Sequence, residues 1–376
     1  MNIVRSLWLL VVTLILAGFY GTGIARADSL YIGDGADDTV KRFDAQTGAY
    51  LGAFVTSGSG GLRGPRGLIF TRGSLYVSNQ NVSTPDRPID FAGEILQFRR
   101  TTGDFLDALV PCNPPLSRNC DPHGPFAPRG LISGLGNTLY VADLGDFPTP
   151  LNPNPPPGRV PQFDTKTGTF LGDLDITGFT GDFRPRGVVL GPDDLLYVSV
   201  VGNLNPGTPT NPNPNFNPLT GYVLRFDPHS GRFVDVFTSN QAAGCAAHLH
   251  RPEGLVFGPD GNLYITAFRA NASDTDKILI FDGITGACLN KIDLDQVGQP
   301  RAFAQAILFG PGGFLFVPIN NTGQPPTNPF TGAVRRYDVT DSSFPFTNFV
   351  SPGGPLGQPW FLTFGVTNPK TLGYGD

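Results

Sequence analysis

The chain repeats itself, and the repeat restricts the fold more than any other feature. One line recurs six times in 376 residues: "VKRFDAQTGAYLGAF", "ILQFRRTTGDFLDAL", "VPQFDTKTGTFLGDL", "VLRFDPHSGRFVDVF", "ILIFDGITGACLNKI" and "VRRYDVTDSSFPFTN". Its aromatic falls at Phe43, Phe98, Phe163, Phe226, Phe281 and Tyr337, at spacings of 55, 65, 63, 55 and 56 residues. Turn-forming Asp, Ser, Thr and Gly lie between alternating apolar positions, so each copy reads as a hairpin. A second hairpin line alternates with the first, beginning at Pro65, Pro128, Pro185 and Pro252, with a degenerate copy from Ala304. Its first strand is a solid apolar run, as expected of a strand buried on both faces. Two hairpins per unit make a four-stranded antiparallel sheet. Six such units predict a closed radial array, an all-β six-bladed β-propeller.

The ends of the chain support ring closure. "SLYIGD" (Ser29–Asp34) is a second strand without a first, and "PWFLTF" (Pro359–Phe364) is a first strand without a second. The two are expected to share one blade and so remove two exposed sheet edges. Two separate β-sandwiches, the alternative, leave both half-blades unpaired. Glycine (49) and proline (37) make up nearly a quarter of the chain, but they fall between apolar runs and read as turns rather than disorder. The net charge of −5 and the lack of a Lys/Arg run argue against nucleic acid as a partner.

The first 27 residues read as a targeting segment: one early positive charge, an apolar core over Leu7–Tyr20, and the small-x-small run Ala25–Ala27 ahead of Asp28. The apolar core is shorter than the roughly 20 residues a membrane span needs. An uncleaved anchor is the alternative. The expectation is an exported protein, secreted or periplasmic, with one propeller domain over 28–376, no membrane span after cleavage, and a monomeric state. Four cysteines suit an oxidising compartment. Cys112 and Cys120 bracket a short Pro-rich loop and are expected to pair, leaving Cys245 with Cys288 by elimination; free buried thiols are the alternative. No Cys-x-x-Cys supports a zinc or redox motif.

"RPEGLVFGPDGNLYITA" followed by "ILIFDGITGACL" resembles the NHL-repeat propellers and, more loosely, the regucalcin/gluconolactonase group and the streptogramin B lyases. The likeness spans Ser29–Asp376. It implies architecture rather than activity, because these families share blades and differ in chemistry.

In that architecture the residue after each blade-opening proline lies at the mouth of the central channel. Here the six are Arg66, Arg129, Arg186, Glu253, Gln305 and Trp360. Guanidinium forks hold carboxylate, sulfate or phosphate through paired hydrogen bonds, so these residues are candidate ligand-binding groups. Pairing with rim carboxylates in solvent is the alternative. His248 and His250 precede Glu253 on the same face, and His123 holds the matching place two blades earlier; His229 belongs to a turn of the opposite face. A His/His/Glu set is a candidate site for one divalent metal, Ca, Mg or Zn, with His250 and Glu253 as candidate acid–base groups. Resemblance to the streptogramin lyases implies histidines and a glutamate acting with magnesium on that face. Resemblance to the gluconolactonases implies oxygen ligands where this chain has three arginines, which repel a cation.

Three Pro/Asn-rich loops reach the same rim and could recognise a glycan or protein, or act as spacers. "GDGADD" (Gly33–Asp38) lacks the length and closing glutamate of a calcium loop. No G-x-S-x-G, Walker or H-E-x-x-H motif is present. Two readings follow: a propeller binding a small anion, glycan or protein at the channel mouth, or a metal-dependent lyase or lactone hydrolase there.

Overall fold

The computed structural model describes residues 28–80, 93–111, 123–146, 156–202, 220–320 and 331–375. These form six four-stranded antiparallel sheets arranged as the blades of a propeller. The two chain ends share the first blade. Pro359–Phe364 is its innermost strand and pairs antiparallel with Ser29–Asp34, with Leu30 opposite Phe364 and Ile32 opposite Leu362. The sheet order continues outward through Thr39–Asp44 to Tyr50–Val55. The five remaining blades run in chain order, opening at Pro65–Phe70, Pro128–Ser133, Arg184–Leu190, Arg251–Phe257 and Leu308–Phe309. The sixth has an inner strand of only two residues. There the repeat reads Ala304-Gln305-Ala306 instead of Pro-x-Gly.

The recurring aromatic is the residue each blade buries most completely. Phe43, Phe98, Phe163, Phe226 and Phe281 have no exposed surface, and Tyr337 has 1%. Burial of each such ring contributes roughly 2–3 kcal/mol. The core is a ring of clusters rather than one mass. Tyr31, Phe54 and Val55 of the first blade, for instance, pack on Leu68, Phe70 and Phe98 of the second. The aspartate after the aromatic builds the turn. Asp44 Oδ1 accepts from the Gln46 and Thr47 amides and the Thr47 hydroxyl, and Asp164 and Asp282 repeat the arrangement. Gly48 closes that turn at φ 73°, and a Cβ there would fall 2.1 Å from the Phe349 carbonyl oxygen.

Around the axis the inner strands come close enough that the Pro-x-Gly glycine has a steric cause. A Cβ on Gly130 would lie 3.1 Å from the Gly187 Cα, and one on Gly254 would lie 2.7 Å from the Ala306 Cα. The channel between them is apolar and narrow, about 40 Å3, lined by these glycines with Leu68, Leu131, Val188 and Leu255. A few waters fill such a volume; an organic ligand does not fit. Its far end is stopped by the last residues of the chain. The Ser133 and Leu190 amides donate to the Pro369 and Lys370 carbonyls, and Leu372 lines the channel and packs on four of the core clusters. The sequence reading did not anticipate this plug.

Cys245 and Cys288 form the expected disulfide, with Cα atoms 5.5 Å apart. It ties the 3-10 turn Gly244–His248 to the outermost strand of the fifth blade, Cys288–Asp293. Cys112 and Cys120 lie outside the described residues, as do the leader, most of the three Pro/Asn-rich loops and Asn81. No helix among the described residues is long and apolar enough to cross a membrane.

Candidate functional site

Each blade-opening turn is held by a buried side chain at the end of its second strand. Asp34 accepts from the Gly357 and Gln358 amides at 2.7 Å and from Lys41 Nζ at 2.7 Å. Asp143 accepts from the Phe126 and Ala127 amides, and Asp276 from the Phe303 amide. Burial pushes the Asp143 carboxyl up, against the pull of its amide donors and Arg159. Gly33–Asp38 is therefore a latch on the closing segment, in keeping with its lack of a calcium-loop pattern.

These latches present the six turn side chains to a shared hollow. Arg66 is spread across the mouth. Its Nε donates to Gln80 Oε1 at 2.5 Å and its Nη1 to Gln305 Oε1 at 2.7 Å, while its guanidinium stacks on the Trp360 ring with 3.1 Å to the centroid. Trp360 in turn lies on Gly35, where a Cβ would be 2.4 Å from the indole. Arg129 Nη1 shares the same Gln305 oxygen at 3.0 Å. Arg186 Nη1 sits 3.0 Å from Glu253 Oε1. That contact is a charge pair without hydrogen-bond alignment, since Glu253 Oε1 has no hydrogen-bond donor. Arg66, Arg186, Glu253, Gln305 and Trp360 are all less than 10% exposed.

Charge is out of balance here. Three guanidiniums surround one carboxylate, and Arg251, on the same strand as Glu253, adds a fourth cation. Arg251 escaped notice in the sequence because it precedes the proline instead of following it. Burial first, and the neighbouring arginines second, depress all but Arg186: Arg66 falls well below the ordinary guanidinium range, and Arg129 and Arg251 fall to about 10. All remain protonated at neutral pH. Donor capacity is left over as well. The Nε atoms of Arg129 and Arg186 are buried with no hydrogen-bond partner. Arg66, by contrast, has both neighbours and a ring to hold it, and acts as the brace on which Arg129 is set.

The histidines form a second group on this face, and Glu253 is not in it. His248, His250 and Asp274 each place a ligand atom within 4.8 Å of the others, and all three are half-buried. The carboxylate of Glu253 belongs instead to Arg186. Burial lowers the His250 pKa, with Lys277 and His248 adding to the effect and Asp274 opposing it. For Asp274, burial alone would raise the pKa, but the bonds from Lys277 Nζ and the Ala270 amide outweigh it and hold it at about 2. Asp274 lies 24 residues beyond His250 in "NASDTDK", where no local pattern marks it. His123 joins neither group: its ring stacks on Phe170 at 4.3 Å and its carbonyl accepts from Arg159. His229 is exposed in the Asp227 turn of the opposite face. Of the glycosylation-type asparagines, Asn271 is exposed and Asn320 is buried.

No known family profile matches the chain, and no curated protein matches it. Solved structures do. A protein of unknown function from Bacteroides caccae is 10% identical, with a TM-score of 0.53 over 90% of this chain and 98% of that one. A gluconolactonase of Xanthomonas campestris is 14% identical, with a TM-score of 0.46 over 79% of this chain and 78% of that one. The fold is shared. At these identities the likeness extends to architecture and no further.

Proposed function

We propose that the protein is an exported propeller that binds a small anion, a carboxylate, phosphate or sulfate group, in the arginine-lined mouth of its channel. One observation carries the reading: Arg66, Arg129 and Arg186 converge on a single carboxylate in a buried setting, with the Nε donors of Arg129 and Arg186 unused. Packing does not call for this. Like charges in a low-dielectric hollow raise the free energy of the empty protein, and an anion would relieve both the repulsion and the unmet donors. The channel below is too narrow to admit more than water, so the ligand is held at the rim, where part of it stays in solvent. The targeting segment and the Cys245–Cys288 bridge support export.

Thermal shift with phosphate, sulfate, citrate and sugar acids tests the reading. A saturable rise in Tm is expected, following RT ln(1 + [L]/Kd), and Arg129→Ala/Arg186→Ala should abolish it. A flat response across all four anion classes would sink it.

A second reading, a metal-dependent lyase or lactone hydrolase using His250 and Glu253, draws on the histidine group at the same rim. It requires Glu253 to leave Arg186 before acting as a base. Turnover of lactones by the metal-loaded protein, lost in Glu253→Gln and His250→Ala, would establish it over simple binding.

A further inference from the structure

We propose that His248, His250 and Asp274 form a binding site for one divalent cation of the zinc class, beside the arginine mouth and separate from it. The three donors come from two stretches of chain that the fifth blade brings together: the 3-10 turn and loop entering its inner strand, and the loop between its second and third strands. Each ligand atom lies within 4.8 Å of the other two. Ligand atoms bound at about 2 Å in tetrahedral geometry stand about 3.4 Å apart. The group therefore has to contract by little more than an ångström, within reach of imidazole rotation.

The scaffold under these donors is built. The Cys245–Cys288 bridge anchors the turn that carries His248, and the His250 amide donates to the His248 carbonyl at 2.8 Å, which holds the two side chains in one register. The imidazole rings stand edge to face, 6.4 Å between centroids, so neither covers the other's nitrogen. Asp274 is positioned by two bonds: the Ala270 amide on Oδ2 at 2.9 Å and Lys277 Nζ on Oδ1 at 2.7 Å. A carboxylate offers about four lone pairs, so each oxygen keeps one for a metal. Lys277 neutralises part of the site's charge, which disfavours hard cations held by charge alone. Two imidazoles and one carboxylate suit zinc, cobalt or nickel, and the half-buried setting leaves a fourth position to solvent. Calcium and magnesium, which prefer oxygen shells, are poor matches.

The test uses tag-free protein stripped with EDTA, titrated calorimetrically with zinc chloride alone and followed in parallel by cobalt absorption. One equivalent should bind, with the visible spectrum of nitrogen-coordinated tetrahedral cobalt. His248→Ala/His250→Ala, which leaves the Lys277–Asp274 bond intact, should weaken binding at least 100-fold, and His229→Ala should not change it. Asp274→Asn should cost tenfold or more, with circular dichroism confirming that the blade survives without the counter-ion of Lys277. Failure to take up one equivalent, or uptake that survives in the double histidine variant, overturns the site. So does wild-type affinity in a folded Asp274→Asn protein, or loss of zinc in Glu253→Gln, which would place the carboxylate ligand in the mouth. Because the anion test depends on Arg129 and Arg186 and this one on the histidines, either reading can fail while the other stands.

Discussion

The two faces of the propeller treat charge in opposite ways. On the face away from the mouth, the same device recurs: Asp44, Asp164, Asp227, Asp282 and Asp338 each accept from backbone amides of their own turn. These carboxylates lie in solvent, and the turn donors pull their pKa values down. At the mouth the six equivalent positions hold four different residue types, mostly buried, and three cations share one anion. Repetition marks what every blade needs in order to fold. Divergence at equivalent positions, where charge is buried at a cost, marks what folding does not require. The arginine mouth belongs to the second kind.

The largest expected effect is at Glu253. Removing it leaves Arg186 buried without its counter-charge, and Glu253→Ala should destabilise by about 3 kcal/mol in chemical denaturation. A loss no larger than that of a far-face turn variant would erase the distinction between the faces. Next is the response to anion. Saturating phosphate at a hundred times Kd should stabilise the wild type by about 2.7 kcal/mol and Arg129→Ala/Arg186→Ala not at all. That variant, without ligand, should be as stable as the wild type or more so, because two mutually repelling charges are gone; a marked fall would show that the arginines serve packing.

The pH dependence sharpens the contrast. Arg129 has a folded pKa of about 10, below its unfolded value, so between about 10 and the ordinary guanidinium range the unfolded chain holds more protons than the folded one. Stability of the wild type relative to Arg129→Ala should rise as pH climbs through that window, while anion affinity falls. The far-face aspartates run the other way. Their folded pKa values are lowered, so their contribution is present above the ordinary aspartate value and is lost as pH falls through the folded one. The smallest effect is at a single turn: Asp44→Ala should lower Tm by about 1–2 °C, and phosphate should still raise the variant's Tm by the wild-type amount.

Much of this was readable in the sequence, for reasons that differ from part to part. The aromatic at each repeat, the Asp-x-x-Thr-Gly turn and the two half-blades all depend on local chemistry and alternation, and they led to the right sheets and to a ring closed by Pro359–Phe364 on Ser29–Asp34. The Cys245–Cys288 pairing followed by elimination. The identity of the six mouth residues followed from their place in the repeat. The grouping of Glu253 with the histidines was a guess from adjacency in the chain. Strand geometry separates them: Glu253 lies on the inner strand and faces across the axis, whereas His248 and His250 precede it in the loop.

What the amino-acid order determined alone was the number of blades, their strands and the positions at the axis, because period-two alternation and turn chemistry act within a few residues. The partners of those positions were settled only in three dimensions. Gln305 bridges Arg66 across 239 residues and Arg129 across 176, Asp274 comes to His250 from the next loop of its blade, and Leu372 stops a channel built by all six blades. Such pairings depend on which rotamers meet once the ring has closed, and no stretch of chain carries that information by itself.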